Sequence, residues 1–347
     1  MKGLKGSKSP FKRYAALLVA AASCIGGTAH AGWFDYNDGK VFLTQGVSMV
    51  DGAAGGGAVP WAVIAGNETR DGINANVHYT YASLPNYSLN TAGIAVGFYD
   101  RFEVSYAYSV LPTGSTFDTV GLLNSALSGS STSSTIGGVE PWNTTIKMNI
   151  YGAKLRLIGE AIYDSDTWEP QVALGGFYKV NGNKALLKTL GADKASDFEA
   201  YLAVTKIFFP ISTAIDFTAR YTSANETGLT GFGSDTGGNH RKLRMEGSLA
   251  YLLAKNIAIG GEYQQHGNNL GGKTVSTLSG VNTLLGSLGL GGLDTTLTQQ
   301  NESDWIDLFV AFAPAKNLSF TAAVLDLGNI TFTPNQYGYY ISMAASF

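Results

Sequence analysis

Tyr337-Gly338-Tyr339-Tyr340-Ile341-Ser342-Met343-Ala344-Ala345-Ser346-Phe347 is the stretch on which the fold turns. In an extended chain, successive side chains point to opposite faces. Tyr337, Tyr339, Ile341, Met343, Ala345 and Phe347 therefore share one face, and Gly338, Tyr340, Ser342, Ala344 and Ser346 share the other. Helical packing would instead need apolar residues three and four apart. Apolar residues facing out and small or polar ones facing in, over about ten residues, mark a strand that crosses a membrane as part of a barrel. A terminal Phe behind such a strand resembles the signal by which Gram-negative assembly machinery recognises outer-membrane barrels. Tyr339, Ile341, Met343 and Phe347 are the candidate assembly signal.

The same period runs back through the chain. In 241–251, Leu243, Met245, Leu249 and Tyr251 oppose Lys242, Arg244, Glu246 and Ser248. In 215–222, Ile215, Phe217, Ala219 and Tyr221 oppose Asp216, Thr218, Arg220 and Thr222. Segments 102–110 and 73–81 alternate as cleanly, whereas Lys154 and Arg156 disturb the phase of 145–158. Counting from Gly39 gives fourteen strands: 39–49, 61–68, 72–82, 87–98, 101–110, 143–158, 168–180, 198–208, 212–223, 241–253, 256–266, 304–313, 316–327 and 337–347. Twelve is the other count the pattern allows. Tight links such as Tyr99–Asp100 and Ala254–Lys255 fall at one end, and long links at 111–142, 181–197, 224–240 and 267–303 at the other. Short periplasmic turns and long extracellular loops are the outer-membrane arrangement. The expected fold is all-β: a transmembrane, antiparallel, up-and-down barrel with short helices in its long loops. An even strand number puts both termini on the periplasmic side.

Charged residues make up only 14% of the chain, and aromatic residues 12%. Soluble domains carry roughly 25% charge. A formal net charge of −3 gives no basic surface for nucleic acid. Lys2, Lys5, Lys8, Lys12 and Arg13 precede an apolar run over Ala15–Ile25, and Ala29-His30-Ala31 offers a small–x–small cleavage site. That pattern reads as a secretory signal peptide over residues 1–31, cleaved after Ala31, with the barrel domain occupying 32–347. The apolar run is shorter than the about 20 residues a spanning helix needs. A lipoprotein acylated at Cys24 is the rival reading of this segment, although the preceding Ala21-Ala22-Ser23 lacks the usual Leu. Cys24 is the one cysteine, so cleavage after Ala31 leaves a mature chain without thiol chemistry.

Several stretches go together as a set: Asp51-Gly52-Ala53-Ala54-Gly55-Gly56-Gly57, Pro60-Trp61-Ala62, Thr69-Arg70-Asp71, Phe98-Tyr99-Asp100-Arg101-Phe102-Glu103, Asp326-Leu327-Gly328-Asn329-Ile330 and Gly338-Tyr339-Tyr340. Through them the chain, from about Gly39 to Phe347, resembles a family of uncharacterised proteobacterial proteins known only as a domain of unknown function. The resemblance implies an outer-membrane-type barrel and no established activity. The inserts at 111–142, 181–197 and 267–303 look longer than the family norm.

The alternation places His78, Glu103, Lys147, Lys179, Glu199, Asp216, Arg220, Lys242, Arg244, Glu246, Glu262 and Asp307 inside the barrel. Such mixed charge suits a hydrophilic pore. It equally suits a salt-bridge network that fills a narrow lumen. In the long loops, Phe117, Val120, Leu123 and Leu127 recur at helical spacing, as do Val275, Leu278, Val281, Leu284, Leu285 and Leu288. Phe117, Val120, Leu278, Leu284 and Leu285 are candidates for a constriction at the mouth; packing on each other as a loop cap is the alternative. Gly52–Gly57 lacks the Gly-Lys-Ser/Thr of a phosphate loop and reads as an external hairpin. His240 and His266 lie near the rim with Asp235 and Asp304 not far off in sequence, but no catalytic motif surrounds them, and no enzyme is expected. Asp235 has no partner at the spacing of an established cation site, so no metal or cofactor is expected either. The expected partners are outer-membrane lipid, the barrel-assembly machinery and an unidentified small solute. Passage of that solute is the leading function, a partner-binding barrel with a plugged lumen is the alternative, and an outer-membrane hydrolase ranks last.

Overall fold

The computed structural model describes residues 47–66, 72–113, 144–159, 168–237, 241–273, 299–315 and 317–346. Two short strands, β1 (Val47–Ser48) and β2 (Ala54–Gly55), pair with each other and with no wall strand, and Gly55 also bridges to Pro60. The wall is built from β3 (Ile73–Ser83), β4 (Ser88–Phe98), β5 (Phe102–Pro112), β6 (Thr145–Ile158), β7 (Gln171–Asn181), β8 (Ser196–Phe208), β9 (Thr213–Thr222), β10 (Lys242–Ala254), β11 (Ile257–Gln264), β12 (Trp305–Ala315), β13 (Leu318–Asp326) and β14 (Tyr337–Ser346). Each pairs antiparallel with its chain neighbours, and β14 returns to β3 in a register running from Tyr339↔Ser83 to Ser346↔Asn76. Twelve strands thus close the ring among the described residues. Closure leaves no strand edge with unpaired amides, which hydrocarbon could not satisfy.

The outward face is apolar. Leu243, Met245, Leu249 and Tyr251 of β10 are exposed, beside Ile215, Phe217 and Tyr221 of β9, while Glu246, Ser248 and Ala250 between them are buried. Tyr339, Ile341 and Met343 are likewise exposed on β14, and Phe347 lies outside the described residues. In water this much exposed apolar surface would be costly; against lipid it is the matching surface. The barrel is therefore a transmembrane, outer-membrane-type barrel. Among the described residues no helix is long and apolar enough to cross a membrane.

The links sort onto two ends. Tyr99 and Asp100 both take positive φ (52° and 50°), the backbone of a tight two-residue hairpin turn. β8 and β9 are joined through Phe209–Ser212, and β10 and β11 through Lys255–Asn256, at the same end. The link between β6 and β7, 159–170, is the long one at this end; together with the short link at 84–87, the other long links lie opposite. One of them carries a short helix, α1 (Lys184–Thr189), with Leu186 and Leu187 buried. The loop candidates Phe117, Val120, Leu278, Leu284 and Leu285, together with the signal segment and His240, lie outside the described residues.

The count of fourteen needs correction to the other value. The described parts of segments 39–49 and 61–68 are not wall strands but belong to a plug, residues 47–66, inside the barrel. All of this segment is buried except Val50 and Ala58, which are half-buried. A wall strand must show one face to lipid; this one shows neither. Composition explains why. Where a wall strand carries large outward residues, the plug carries Gly55, Gly56 and Gly57, and a Cβ on Gly56 would stand in the Glu262 carboxylate. The Gly52–Gly57 hairpin is accordingly internal, not external. Trp61, Val59, Val63 and Ala65 pack against Ala82, Ala95, Phe309 and Ala311 of the wall, and Met49, Ala53 and Ala62 join a second cluster with Ile150, Phe177 and Tyr201.

Substituting Leu249→Arg near the middle of β10 should destabilise the barrel in lipid vesicles by about 2–4 kcal/mol, as measured by urea titration of folding. A change near zero would contradict the outward placement of Leu249.

Candidate functional site: the plugged lumen and the cavity above it

Inward-pointing charges hold the plug. Glu103 on β5 stands directly across from Lys154 on β6. Its carboxylate accepts hydrogen bonds from the Ala54 and Ala65 backbone amides (3.2 and 2.8 Å). Lys154 donates to the Ala54 and Val63 carbonyls, both at 2.8 Å, and pairs with Glu103 at 3.3 Å. One ion pair thus serves four backbone groups of the plug, of which the Ala54 carbonyl also accepts from the Trp61 amide at 3.3 Å. A second cluster grips Asp51. Lys179 approaches it at 2.8 Å and Arg220 at 3.3 Å, and both cations also meet Glu199 (3.0 and 3.4 Å). Arg220 continues to Glu246. Further contacts are single: Ala58 N–H to Glu262 (2.7 Å), Ala62 N–H to Thr205 (2.7 Å), Thr218 to the Pro60 carbonyl (2.8 Å), and the Trp61 indole to Ser248 (3.0 Å).

His78, Glu103, Lys179, Glu199, Asp216, Arg220, Glu246, Glu262 and Asp307 are all buried on the inward face. Asp216 accepts from Thr205 and Thr218. The ring nitrogens of His78 make no hydrogen bond among the described residues. Lys242 stands exposed and Arg244 half-buried at the long-loop rim, on the inward phase but beyond the plug. Lys147 departs from the expectation: it is exposed and points outward. The phase of β6 runs unbroken through buried Ile146, Met148, Ile150, Lys154 and Arg156. Inward apolar residues at its loop end face an apolar cavity, which inverted the reading of this strand. Lys154 and Arg156, the residues that disturbed the pattern, are thereby lumenal. Arg156 pairs with Asp100 at 2.9 Å near the short-turn end.

Between plug and long loops lies a cavity of about 100 Å³. Its wall includes Leu89, Leu111, Ile146, Trp305 and Leu325. Leu186 and Leu190 beside α1, Leu229, Leu327 and Ile330 enclose it from the loops, and Val50, Gly57, Ala58 and Tyr340 form its floor. Its charged lining is acidic: Glu226, Glu262 and Asp307, with no Lys, Arg or His among the described lining residues.

At the rim, Glu226, His266 and Glu302 bring three potential ligand atoms within 4.8 Å of one another. Burial pushes the Glu226 carboxyl well above the ordinary range, and the nearby Glu302 pushes the same way. Burial also raises Glu302, opposed by its hydrogen bond with His266. Asp304 accepts from Tyr263 and from the His266 amide, and Asp235 pairs with Lys273. Sequence reading passed over Asp51, Lys154, Glu226 and Glu302. Only Lys154 left a signal, as a charge out of step in an apolar strand.

A family model described as "Protein of unknown function (DUF3034)" matches residues 44–344. The chain belongs to that family. The match takes in the plug and nearly the whole wall of this DUF3034 member. No curated protein sequence matches the chain. Among solved structures it is similar to a KdgM porin (9% identity, 78% of this chain and 99% of that one, TM-score 0.43). It is also similar to a NanC porin (8% identity, 79% and 98%, TM-score 0.42). A third is the outer membrane protein Omp33 of Acinetobacter baumannii (8% identity, 80% and 100%, TM-score 0.40).

Replacing Lys154 by Ala leaves Glu103 buried without its cation and the Val63 carbonyl without its donor, while the Ala54 carbonyl keeps only the Trp61 amide. Breaking such a pair costs about 3–5 kcal/mol. Hydrogen exchange of peptides covering 54–65 should accelerate accordingly, while the exchange of β9 and β10 stays slow. Unchanged protection at 54–65 would remove Lys154 from its role in holding the plug.

Proposed function

We propose that the protein is a porin-like outer-membrane channel for the selective passage of a small aromatic solute, neutral or cationic, gated by residues 47–66. The carrying observation is the apolar cavity that faces the long loops, with the plug as its floor. Its volume is of the order of an apolar cavity of about 150 Å³ that takes up benzene. Carboxylates without cationic partners in the lining disfavour anions, because the low dielectric of such a site strengthens like-charge repulsion. The solute class that fits is a small aromatic, neutral or cationic. Passage, not catalysis, is the role assigned. Movement of the plug then opens the way to the short-turn end. A lumen kept permanently shut is the second reading, favoured by the number of buried ion pairs that grip the plug.

Titrating the purified barrel with toluene should perturb the fluorescence of Trp305, with Trp305→Phe as the control. Benzoate should bind at least ten-fold more weakly, and Ala82→Phe, which fills the cavity, should abolish binding of both. Proteoliposomes should admit benzyltrimethylammonium faster than protein-free vesicles. Binding without entry would favour the permanently shut barrel; equal binding of benzoate and toluene would remove the proposed selectivity.

A further inference from the structure

We propose that Glu226, His266 and Glu302 form a binding site for one divalent first-row transition metal ion, zinc by preference, that ties two external loops together at the barrel mouth. Glu226 comes from the β9–β10 loop, while His266 and Glu302 stand at the two bases of the β11–β12 loop. The site shares Glu226 with the lining of the cavity, but does not depend on what passes the lumen.

Three observations converge. First, the Glu226 carboxylate is 2% exposed and has no cationic partner among the described residues; only the Thr331 backbone N–H and the Trp305 indole N–H approach it, outside good hydrogen-bond geometry. A buried carboxylate in that state is costly unless a cation or proton compensates it. Its backbone N–H already donates to Glu302 Oε1 at 2.6 Å, which brings the second carboxylate alongside.

Second, the imidazole is oriented by an outer partner. The Gln264 amide nitrogen donates to the Glu246 carboxylate at 3.2 Å, which fixes which end of the amide is oxygen, since a carboxylate accepts only. The Gln264 oxygen then faces His266 Nε2 at 3.1 Å, so Nε2 carries the proton. In the neutral ring that leaves the Nδ1 lone pair directed at Glu302 Oε1, 3.0 Å away. Two acceptors face each other there unless a cation lies between them or a proton sits on the ring or on the Glu302 carboxyl. A metal-ligating His held through its other nitrogen is the usual arrangement of such sites. Trp305 stacks on the ring at 4.3 Å between centroids and restricts its rotation.

Third, a small cavity of about 10 Å³ adjoins both carboxylates, lined also by Thr230, Asn268 and Gln300. That is close to the room one water or ion requires, of order 10–15 Å³. The donor set selects the ion. One imidazole nitrogen with two carboxylate oxygens suits zinc and its neighbours, with an open fourth position. Calcium and magnesium take oxygen ligands. Tetrahedral zinc with ligands at about 2.0–2.1 Å sets donor atoms about 3.3 Å apart, a contraction from the present spread that side-chain rotation supplies.

The test uses the full-length barrel, purified in detergent, stripped with chelator and confirmed folded by its heat-shifted gel migration. Calorimetric titration with zinc should show one equivalent bound, and X-ray absorption at the zinc edge should show one imidazole with oxygen ligands. Glu226→Gln and His266→Ala should each weaken binding at least ten-fold, and Glu302→Gln likewise. Absence of zinc binding by the folded wild type would overturn the proposal and identify His266 and Glu302 as a protonated ion pair. An oxygen-only shell, or calcium bound in preference, would overturn the His ligation. Affinity unchanged in folded Glu226→Gln would place the ion elsewhere. The wild-type spectrum decides the matter even if a variant fails to fold.

Discussion

The contact between the Lys154–Glu103 pair and the plug backbone is the constraint on which the interior depends. Residues 47–66 pair with no wall strand, so the amides and carbonyls that their own turns leave unpaired need acceptors and donors from elsewhere. The wall supplies them from side chains. The dependence is mutual. Lys154, Glu103, Lys179 and Arg220 are each at most 2% exposed, and charges so placed need partners. Asp51 and the plug carbonyls are among those partners. Plug and charged collar are therefore one unit in the closed barrel, and displacing the plug leaves the collar's charges to one another and to solvent. Glycine makes the fit: Gly56 and Gly57 lie where any side chain would strike Glu262 or Tyr340.

The unit divides the barrel into two compartments of different chemistry. Toward the short turns, Trp61, Val47 and Val63 pack on small wall residues such as Ala311 and Ala250. Toward the long loops the wall turns apolar again around the cavity, and the loops close over it. The rim then carries a separate polar cluster, where Glu226 links the cavity to Glu302 and His266. On the function proposed above, solute selection, gating and closure of the loops would fall on three successive levels of the same lumen.

The wall was legible in the sequence because it obeys one simple rule. Alternation in 215–222, 242–251 and 337–346 reports the difference between lipid and interior, and each of these segments lies in a wall strand. The plug was not legible as a plug. Trp61-Ala62-Val63-Ile64-Ala65 has a strand's composition, and local pattern cannot tell a strand with one buried face from a segment with two. Closure between β14 and β3, a long-range property, decided it. Lys147 was misplaced for a related reason: β6 passes from a charged collar to an apolar cavity, so the polarity of its inward face reverses along its length. Glu103, Lys179, Asp216 and Arg220 were placed correctly by phase. Glu226 and Glu302 belong to loops without period, and only the folded chain brings them to His266.

The central claim is that residues 47–66 close an otherwise complete barrel, and planar-bilayer recording tests it most directly. Wild-type protein should stay closed for most of the record, with rare brief openings. A variant lacking residues 47–66, folded by the same heat-shifted gel criterion, should show sustained steps of constant conductance. Equal and steady conductance in the two proteins would contradict the account, because the segment would then not be what closes the lumen.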